Sequence, residues 1–427
     1  MGKKKNNKNN KNNKINNKNP ILIFFVTFSV VLLIGLTGVL IGVRLRGKTG
    51  GGGAEEIVRS VFAWETISEE EKVRQAEAVS KEMEEYAELL QDTEYLRENR
   101  IYGVTEDVEG EVKMLFAGDI LFDDEYAVMG SAIRRGGTVE SAFSPELLDR
   151  MQAADILAVN NEFPFTDRGA PTEGKQFTFR ADPDKVSWLS DMGVDVVSLA
   201  NNHTFDFGEV GLLDTLATLE TAAMPYIGAG RNIGEAAAPV YFMTKNVKIG
   251  IIAATQIERL DHPDTRGATE ASSGVFRCWN PELLYQVVEE TKKNCDFLVV
   301  FIHWGTENTS ELDWAQLEQA PKIAEAGADL IIGAHPHCLQ QIDYVKGIPV
   351  VYSLGNFWFN SKTLDTGMVE VIINKEGIKS LQFVPVLQSD CRSTLLTGEE
   401  EIRVLNVMKA LSPGIAMDDA GFITGGN

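Results

Sequence analysis

The chain has 427 residues, 44% of them hydrophobic, enough for one large domain with extensions or for two domains. Its formal net charge of −22 is unevenly spread: residues 1–50 hold eight Lys, two Arg and no acid, which leaves −32 for the rest. A body this acidic lacks the basic surface that phosphate backbones require, which excludes a general nucleic-acid binder.

Met1–Pro20 is rich in Lys and Asn and nearly devoid of apolar residues, so it is expected to be a disordered basic tail. Ile21–Val43, "ILIFFVTFSVVLLIGLTGVLIGV", has 23 residues without a charge, Asn or Gln. At about 1.5 Å per residue it is long enough for a hydrocarbon core of about 30 Å. A cleaved signal peptide would have a shorter apolar region and a small-residue cleavage site. The span is therefore read as a retained transmembrane helix. Seven Lys precede it, and Arg44, Arg46 and Lys48 follow. The more positive side stays cytoplasmic, which predicts a single-pass cell-membrane protein with its main domain extracellular. Residues 44–110 read as a linker and helical stalk. Gly47–Gly53 is the flexible part. Residues 54–100 contain no Gly or Pro, and Val73, Ala76, Met83, Tyr86, Leu89 and Leu90 recur at helical spacing. One or two helices are expected there, free as a stalk or packed on the main domain.

From about Glu111 short β-branched runs alternate with amphipathic segments. Strands are predicted at Val112–Gly118, Ile156–Val159, Val194–Leu199, Val247–Ala253, Phe297–Ile302, Leu330–Gly333 and Val350–Ser353. Helices are predicted near Pro145–Ala153, Pro183–Met192, Val210–Ala222, Pro281–Lys293 and Leu312–Ala326. This alternation is that of an α/β domain. Met368–Ile373 and Ile378–Val384 read as strands with no helix between them, so a mixed sheet is expected. The main domain is placed at 111–388 and a C-terminal extension at 389–427, with Gly421–Asn427 a loose tail.

Six of these strands end in polar, ligand-type residues. They deliver Asp119, then Asn160–Asn161–Glu162, Asn201–Asn202–His203, His303, His335 and His337 around Pro336, and Asn356. In α/β sheets ligands gather outside the carboxyl ends of strands. Taken singly, each residue has an ordinary explanation as a satisfied polar group, a cap or a turn residue. Six together, on one face, point to a site. Carboxylate, carboxamide and imidazole groups without thiolates suit Mn, Fe, Zn or Mg, and Asp119, Glu162, Asn202, His303, His335 and His337 match a one- or two-metal centre in type and number. Pro336 biases His335 to an extended backbone, which would turn His335 and His337 to the same side.

Other motifs carry less. Gly228–Gly234, "GAGRNIG", has the wrong glycine spacing for a dinucleotide loop. The four cysteines lack CxxC spacing, and no disulfide pairing can be chosen. No G-x-S-x-G elbow is present.

"MLFAGDI", "NNEFPFT", "SLANNHTFDFGEVGLLDTL", "IHWGTEN" and "GAHPHCLQQIDYVKGIPVVYSLGNFWF" follow one another in an order and spacing that resembles the CapA/PgsA family of poly-γ-glutamate capsule proteins. That family is similar to the calcineurin-like metallophosphoesterases. The resemblance implies a four-layer αββα sandwich, a membrane-anchored extracellular protein acting in poly-γ-glutamate synthesis or export, other capsule-synthesis membrane proteins as partners, and a phosphoesterase-type hydrolase site with one or two divalent metals. It further implies Asp119 and His337 at a first metal, a bridging Glu162, Asn202 as a metal-binding Asn, and His303 and His335 at a second metal. His203 would contact the phosphate and protonate the leaving oxygen. The sequence departs from the superfamily pattern at Leu121, where Asp-x-His would place a histidine. Asp123, Asp124 and Asp206 are the residues that could compensate. Asp206 could equally cap the helix near Val210 or orient His203. Two further readings stay open: an extracellular phosphoesterase with no capsule role, and a non-catalytic surface protein that binds metal or polymer. Binding of an anionic polymer would call for cations, and Lys175 and Arg180 are the local candidates.

Overall fold

The computed structural model describes residues 69–257 and 265–425. The basic tail, the apolar span Ile21–Val43, the glycine linker and His262 lie outside the described residues. Among the described residues no helix is long and apolar enough to cross a membrane. The chain divides into two units, Met1–Ser80 and Lys81–Asn427. The first is described only from Glu69, where the helix Glu69–Leu89 begins. In the second, Tyr86, Leu89 and Leu90 pack against Ile101, Tyr241 and Met243. Tyr86 donates to Asp296 Oδ2 at 3.1 Å, and Lys375 bridges Glu82 and Asp296. This end of the helix is thus packed on the domain rather than free.

The strands follow in chain order. The first five are β1 (Ile101–Gly103), β2 (Val112–Ile120), β3 (Ile156–Asn161), β4 (Val196–Ser198) and β5 (Tyr226–Ile227). Next come β6 (Ala229–Gly230), β7 (Val240–Met243), β8 (Lys248–Thr255), β9 (Gly274–Val275), β10 (Phe297–His303) and β11 (Leu330–Ala334). The last named are β12 (Ile342–Val345), β13 (Ile348–Val351), β14 (Asn356–Trp358), β15 (Leu364–Asn374), β16 (Gly377–Ser389) and β17 (Arg392–Leu395).

These strands build two mixed sheets. One has the order β1-β7-β8-β10-β11-β13-β12; the other runs β17-β16-β15-β2-β3-β4-β5, with β14 beside β2. Each has a parallel centre, β8-β10-β11-β13 in one and β2-β3-β4-β5 in the other. Central strands covered on both faces read as unbroken apolar runs, and β10 is such a run. Its Phe297, Val299 and Phe301 join Met114 and Phe116 of β2 in a core between the sheets. Its Leu298, Val300 and Ile302 pack outward on Leu284 and Val288 of the helix Glu282–Lys292 and on Ala320 and Ile323 of Trp314–Glu325. The other sheet packs outward, through Leu115, Leu157 and Val197, on the helices Pro145–Gln152 and Gly208–Thr221. The result is four layers: helices, sheet, sheet, helices.

The chain after Ser389 holds more structure than its weak periodicity implies. A helix, Gly398–Leu411, and a hairpin of Ile415–Met417 with Ile423–Gly425 place Val404, Leu405, Met408 and Ile423 in the core between the sheets. Gly421–Gly425 is therefore paired rather than loose. The expected helix at Pro183–Met192 is a 3₁₀ turn, Pro183–Val186, running into the helix Ser187–Asp191. Cys278, Cys295, Cys338 and Cys391 are all free.

Register aligns the strand ends that matter: Asp119 lies between Asn160 of β3 and Asn356 of β14, and His303 pairs with Ala334 at the end of β11. The β2–β14 approach depends on glycine. A Cβ at Gly118 would run into the carbonyl oxygen of Gly355, the group that accepts from Asp119 N at 3.1 Å. Gly118→Ala is expected to cost about 1–3 kcal/mol in urea unfolding at unchanged m-value. An unchanged midpoint would show that the two strand ends have room to spare.

Candidate metal centre

The carboxyl ends of the two parallel strand sets meet at one point. Asp119 comes from the end of β2, Glu162 follows β3, and Asn202–His203 follows β4. His303 ends β10, and His335–His337 follow β11. All except the partly buried His337 are nearly or fully buried. Two sets of ligand-type side chains form, each with its atoms within 4.8 Å of one another: Asp119, Glu162 and His337, and Glu162, His303 and His335. Glu162 belongs to both. Asn202 adds an oxygen to the second set, its Oδ1 lying 2.8 Å from His303 Nε2.

The second set is crowded with lone pairs. His303 Nε2 is 3.1 Å from His335 Nδ1 and 3.7 Å from Glu162 Oε1. In the first set His337 Nδ1 lies 2.8 Å from Asn356 Oδ1 and 3.2 Å from Asp119 Oδ2. It carries at most one hydrogen, which the shorter contact assigns to Asn356. That leaves Nε2, 3.9 Å from Glu162 Oε1, as the atom with a lone pair facing the carboxylates when the ring is neutral. Asp119 Oδ2 and Glu162 Oε1 are buried oxygens without a hydrogen-bond partner. Uncompensated buried carboxylate oxygens are costly, and a cation between them is the natural complement. The donor set therefore fits a divalent metal pair, with three protein ligands on one side and four on the other.

Residues 113–361 match the family model for the bacterial capsule synthesis protein PGA_cap. The chain belongs to this family. It is 31% identical over 243 residues to the PGA biosynthesis protein CapA of Bacillus subtilis, covering 55% of this chain and 62% of that protein. It is 31% identical over 246 residues to the capsule biosynthesis protein CapA of Bacillus anthracis, covering 55% and 59%. The match thus spans roughly three-fifths of these relatives' length. A solved structure, TT1561 of Thermus thermophilus, aligns over 62% of this chain and 99% of its own at 9% identity, with a TM-score of 0.35.

Around this candidate centre, Asn160 is a residue that the sequence places at a strand end but to which it assigns no role. Its Nδ2 lies 2.8 Å from Asp119 Oδ1, 3.2 Å from Glu162 Oε2 and 3.4 Å from His303 Nδ1. The signal was a polar pair at the end of a strand that is otherwise apolar and buried throughout. Asn201 is not among the ligand atoms. It donates to Asn160 Oδ1 and to the Asn161 carbonyl, and its own Oδ1 accepts from His203 N and Thr204 N, which locks the turn. Asp206 lies 2.7 Å from His203 Nδ1 through Oδ2 and takes Lys175 Nζ at 2.5 Å through Oδ1. It does not cap the following helix, which starts without a side-chain cap. His203 Nε2 faces Glu162 Oε1 at 4.0 Å.

Two expectations change. Leu121 is fully buried in the outer core, and Asp123 does not stand in for the missing histidine, because its oxygens accept from Glu125 N and Arg180 N. Asp124 pairs with Lys185. The backbone around Pro336 is not extended: φ is 100° at His335 and 57° at His337. Both histidines converge on the centre through left-handed backbone, a conformation that residues other than glycine tolerate only when the surroundings impose it.

Burial holds His303 and His335 well below the ordinary imidazole value, and burial likewise lowers His203. For His337 burial pulls downward, but the neighbouring Asp119 outweighs it and the net direction is up. Burial, then the Asp119 charge, raises Glu162 well above the ordinary carboxyl value. In the metal-free protein a raised Glu162 makes stability fall as pH rises above the unfolded carboxyl value. The lowered histidines make stability fall as pH drops below about 6.5. A divalent ion would compete with protons at Glu162 and His337, the two groups whose values are raised. Saturating Mn²⁺ should therefore raise the thermal midpoint, relative to chelated protein, by more at about pH 7.5 than at about pH 5.5. Equal increments at both pH values would place the ion elsewhere.

Proposed function

We propose that this protein is a membrane-anchored extracellular component of poly-γ-glutamate capsule synthesis or export, and that its domain carries a metallophosphoesterase-type centre. Family membership and the names of the two Bacillus relatives support the capsule role. The uncharged span Ile21–Val43, with its Lys-rich N-terminal flank, supports the anchor. The other membrane proteins of capsule synthesis are the partners this reading implies.

The observation that carries the catalytic part is Glu162 shared by two ligand sets, with Oε1 otherwise unpartnered. Asp119, Glu162 and His337 would hold one divalent ion, and Glu162, Asn202, His303 and His335 the other. Mn, Zn, Fe and Mg all suit such donors. A bound pair would supply Lewis-acid stabilisation of charge developing on a phosphoryl group. The remaining roles belong to the chain. His203 has Nδ1 held by Asp206 and directs Nε2 into the centre, the orientation needed to deliver a proton to a leaving oxygen. Asp206 is fixed by Lys175 and by Phe179 N, so its carboxylate cannot swing away from His203. Asn356 orients His337 as an outer partner orients a metal-ligating imidazole. Phe179 lies 4.2 Å from the His203 ring and Phe359 4.9 Å from the His337 ring, an apolar wall that limits water.

One observation favours a second reading, a non-catalytic metal- and polymer-binding protein. Leu121 leaves the Asp119 set one donor poorer than the other. Metal analysis of the full chain and a phosphoester panel in Mn²⁺, Zn²⁺ and Mg²⁺ separate the two. His337→Ala should lose one metal equivalent and lower kcat/KM about 100-fold or more. His203→Ala should keep both metals and lower kcat by about 10²–10⁴-fold. Full activity in His337→Ala would remove the catalytic assignment. Metal binding without turnover of any ester in the wild type would leave the non-catalytic reading.

A further inference from the structure

Between β3 and the helix Ser187–Asp191 the chain wraps the rim of the centre and carries four basic residues, Arg168, Lys175, Arg180 and Lys185. Three are spent on carboxylates. Arg168 holds Asp214, Lys175 holds Asp206, and Lys185 lies 3.7 Å from Asp124. Arg180 differs: it has no ion pair among the described residues. Its guanidinium lies over the Phe207 ring, 4.8 Å from the centroid, and the residue is half-buried. Two other half-buried arginines, Arg100 and Arg392, also lack an ion pair, but their guanidinium groups donate to backbone carbonyls, whereas that of Arg180 rests on the Phe207 ring.

Its placement is not loose. Arg180 N donates to Asp123 Oδ2 at 2.9 Å, and Asp123 lies four residues beyond Asp119. The preceding residue, Phe179, donates its N–H to Asp206 Oδ2 and lays its ring on His203. Phe207, under the guanidinium, directly follows Asp206. Arg180 is thus tied on two sides to the residues that aim His203. Stacking on an aromatic face leaves the edge N–H groups of a guanidinium available, in the planar fork that matches an oxyanion.

We infer that Arg180 is a specificity-determining residue that binds a second oxyanion of the substrate, beside the phosphoryl group placed at the metal centre. The inference rests on the proposed phosphoester reading and deepens it. The substrate class is a phosphoester whose other end carries a carboxylate or a further phosphate. Arg180 would supply the positive partner for that group beside the centre, on the segment that also carries Phe179 and its contact with His203. A charge-assisted bond of this kind typically contributes about 1.5–3 kcal/mol, roughly 10- to 150-fold in affinity.

The test compares three ligands on the Mn²⁺-loaded full chain: ethyl phosphate, 2-phosphoglycolate and ethyl diphosphate. Binding is read by calorimetry and hydrolysis by product release. The wild type should prefer at least one of the two ligands with a second oxyanion over ethyl phosphate, and that preference should shrink about tenfold or more in Arg180→Gln. Arg180→Lys should restore part of it. Preference for phosphoglycolate alone identifies a carboxylate, and preference for the diphosphate alone identifies a phosphate. Thermal midpoints close to wild type exclude misfolding of the variants. Absence of a wild-type preference, or an equal preference in Arg180→Gln, overturns the inference. Selective binding without hydrolysis of any ligand would retain it and sink the phosphoesterase reading. Hydrolysis with no role for Arg180 does the reverse.

Discussion

Glu162 is the constraint around which the rest of the centre is arranged. A carboxylate at zero exposure, with one oxygen that no donor reaches, is unfavourable in a dry interior. Its other oxygen is tied to Asn160, whose carboxamide also reaches Asp119. Two acids are therefore held side by side with too few hydrogens between them. Protonation relieves part of this strain, and a cation relieves more. The histidines follow the same logic. Burial keeps His303 and His335 neutral, so they present lone pairs without a proton to displace.

The fold produces that convergence by bringing two parallel strand sets end to end at one edge of the sandwich. Each sheet delivers different chemistry. The β2–β3–β4 set brings oxygen ligands and His203, and the β10–β11 set brings His303, His335 and His337. Neither sheet holds a complete site. The close approach of Gly118 and Gly355 and the left-handed turn at His335 and His337 join the two halves at ligand distance. Non-glycine residues in that region of backbone space cost about 1–3 kcal/mol each, a strain retained where the surrounding structure requires it.

Much of this architecture was legible in the sequence because apolar runs and their polar ends report strands buried on both faces. β2, β3, β8, β10 and β11 lie within a residue or two of their expected positions, and the polar residues that follow them gather at one place. What was not legible is instructive. Asn160 was invisible as a hub because its role depends on which side chains stand across the strand, not on local pattern. The turn at His335 was misread because the residue before proline is biased toward extended backbone, and tertiary packing overrode that bias. The helix Gly398–Leu411 buries one narrow stripe, Val404, Leu405 and Met408, beneath a largely charged surface, and its periodicity is correspondingly faint.

The His203 arm lies outside the ligand sets yet is held as firmly as they are. Asp206 is fully buried and receives donors from three directions: Lys175, Phe179 N and His203. Lys175 also reaches the Asn202 carbonyl at 2.5 Å, so one ammonium braces both the residue that aims His203 and the turn that presents Asn202. The loop carrying Lys175 carries Phe179 and Arg180 as well. The bracing of Asp206 behind His203, the aromatic ring on that imidazole and the Arg180 guanidinium thus belong to a single segment. A change in that segment would alter aim, water access and charge together, whereas a change in β10 or β11 would act through the ligands alone. On the proposed reading, selectivity would rest mainly with the loop and metal binding mainly with the strand ends.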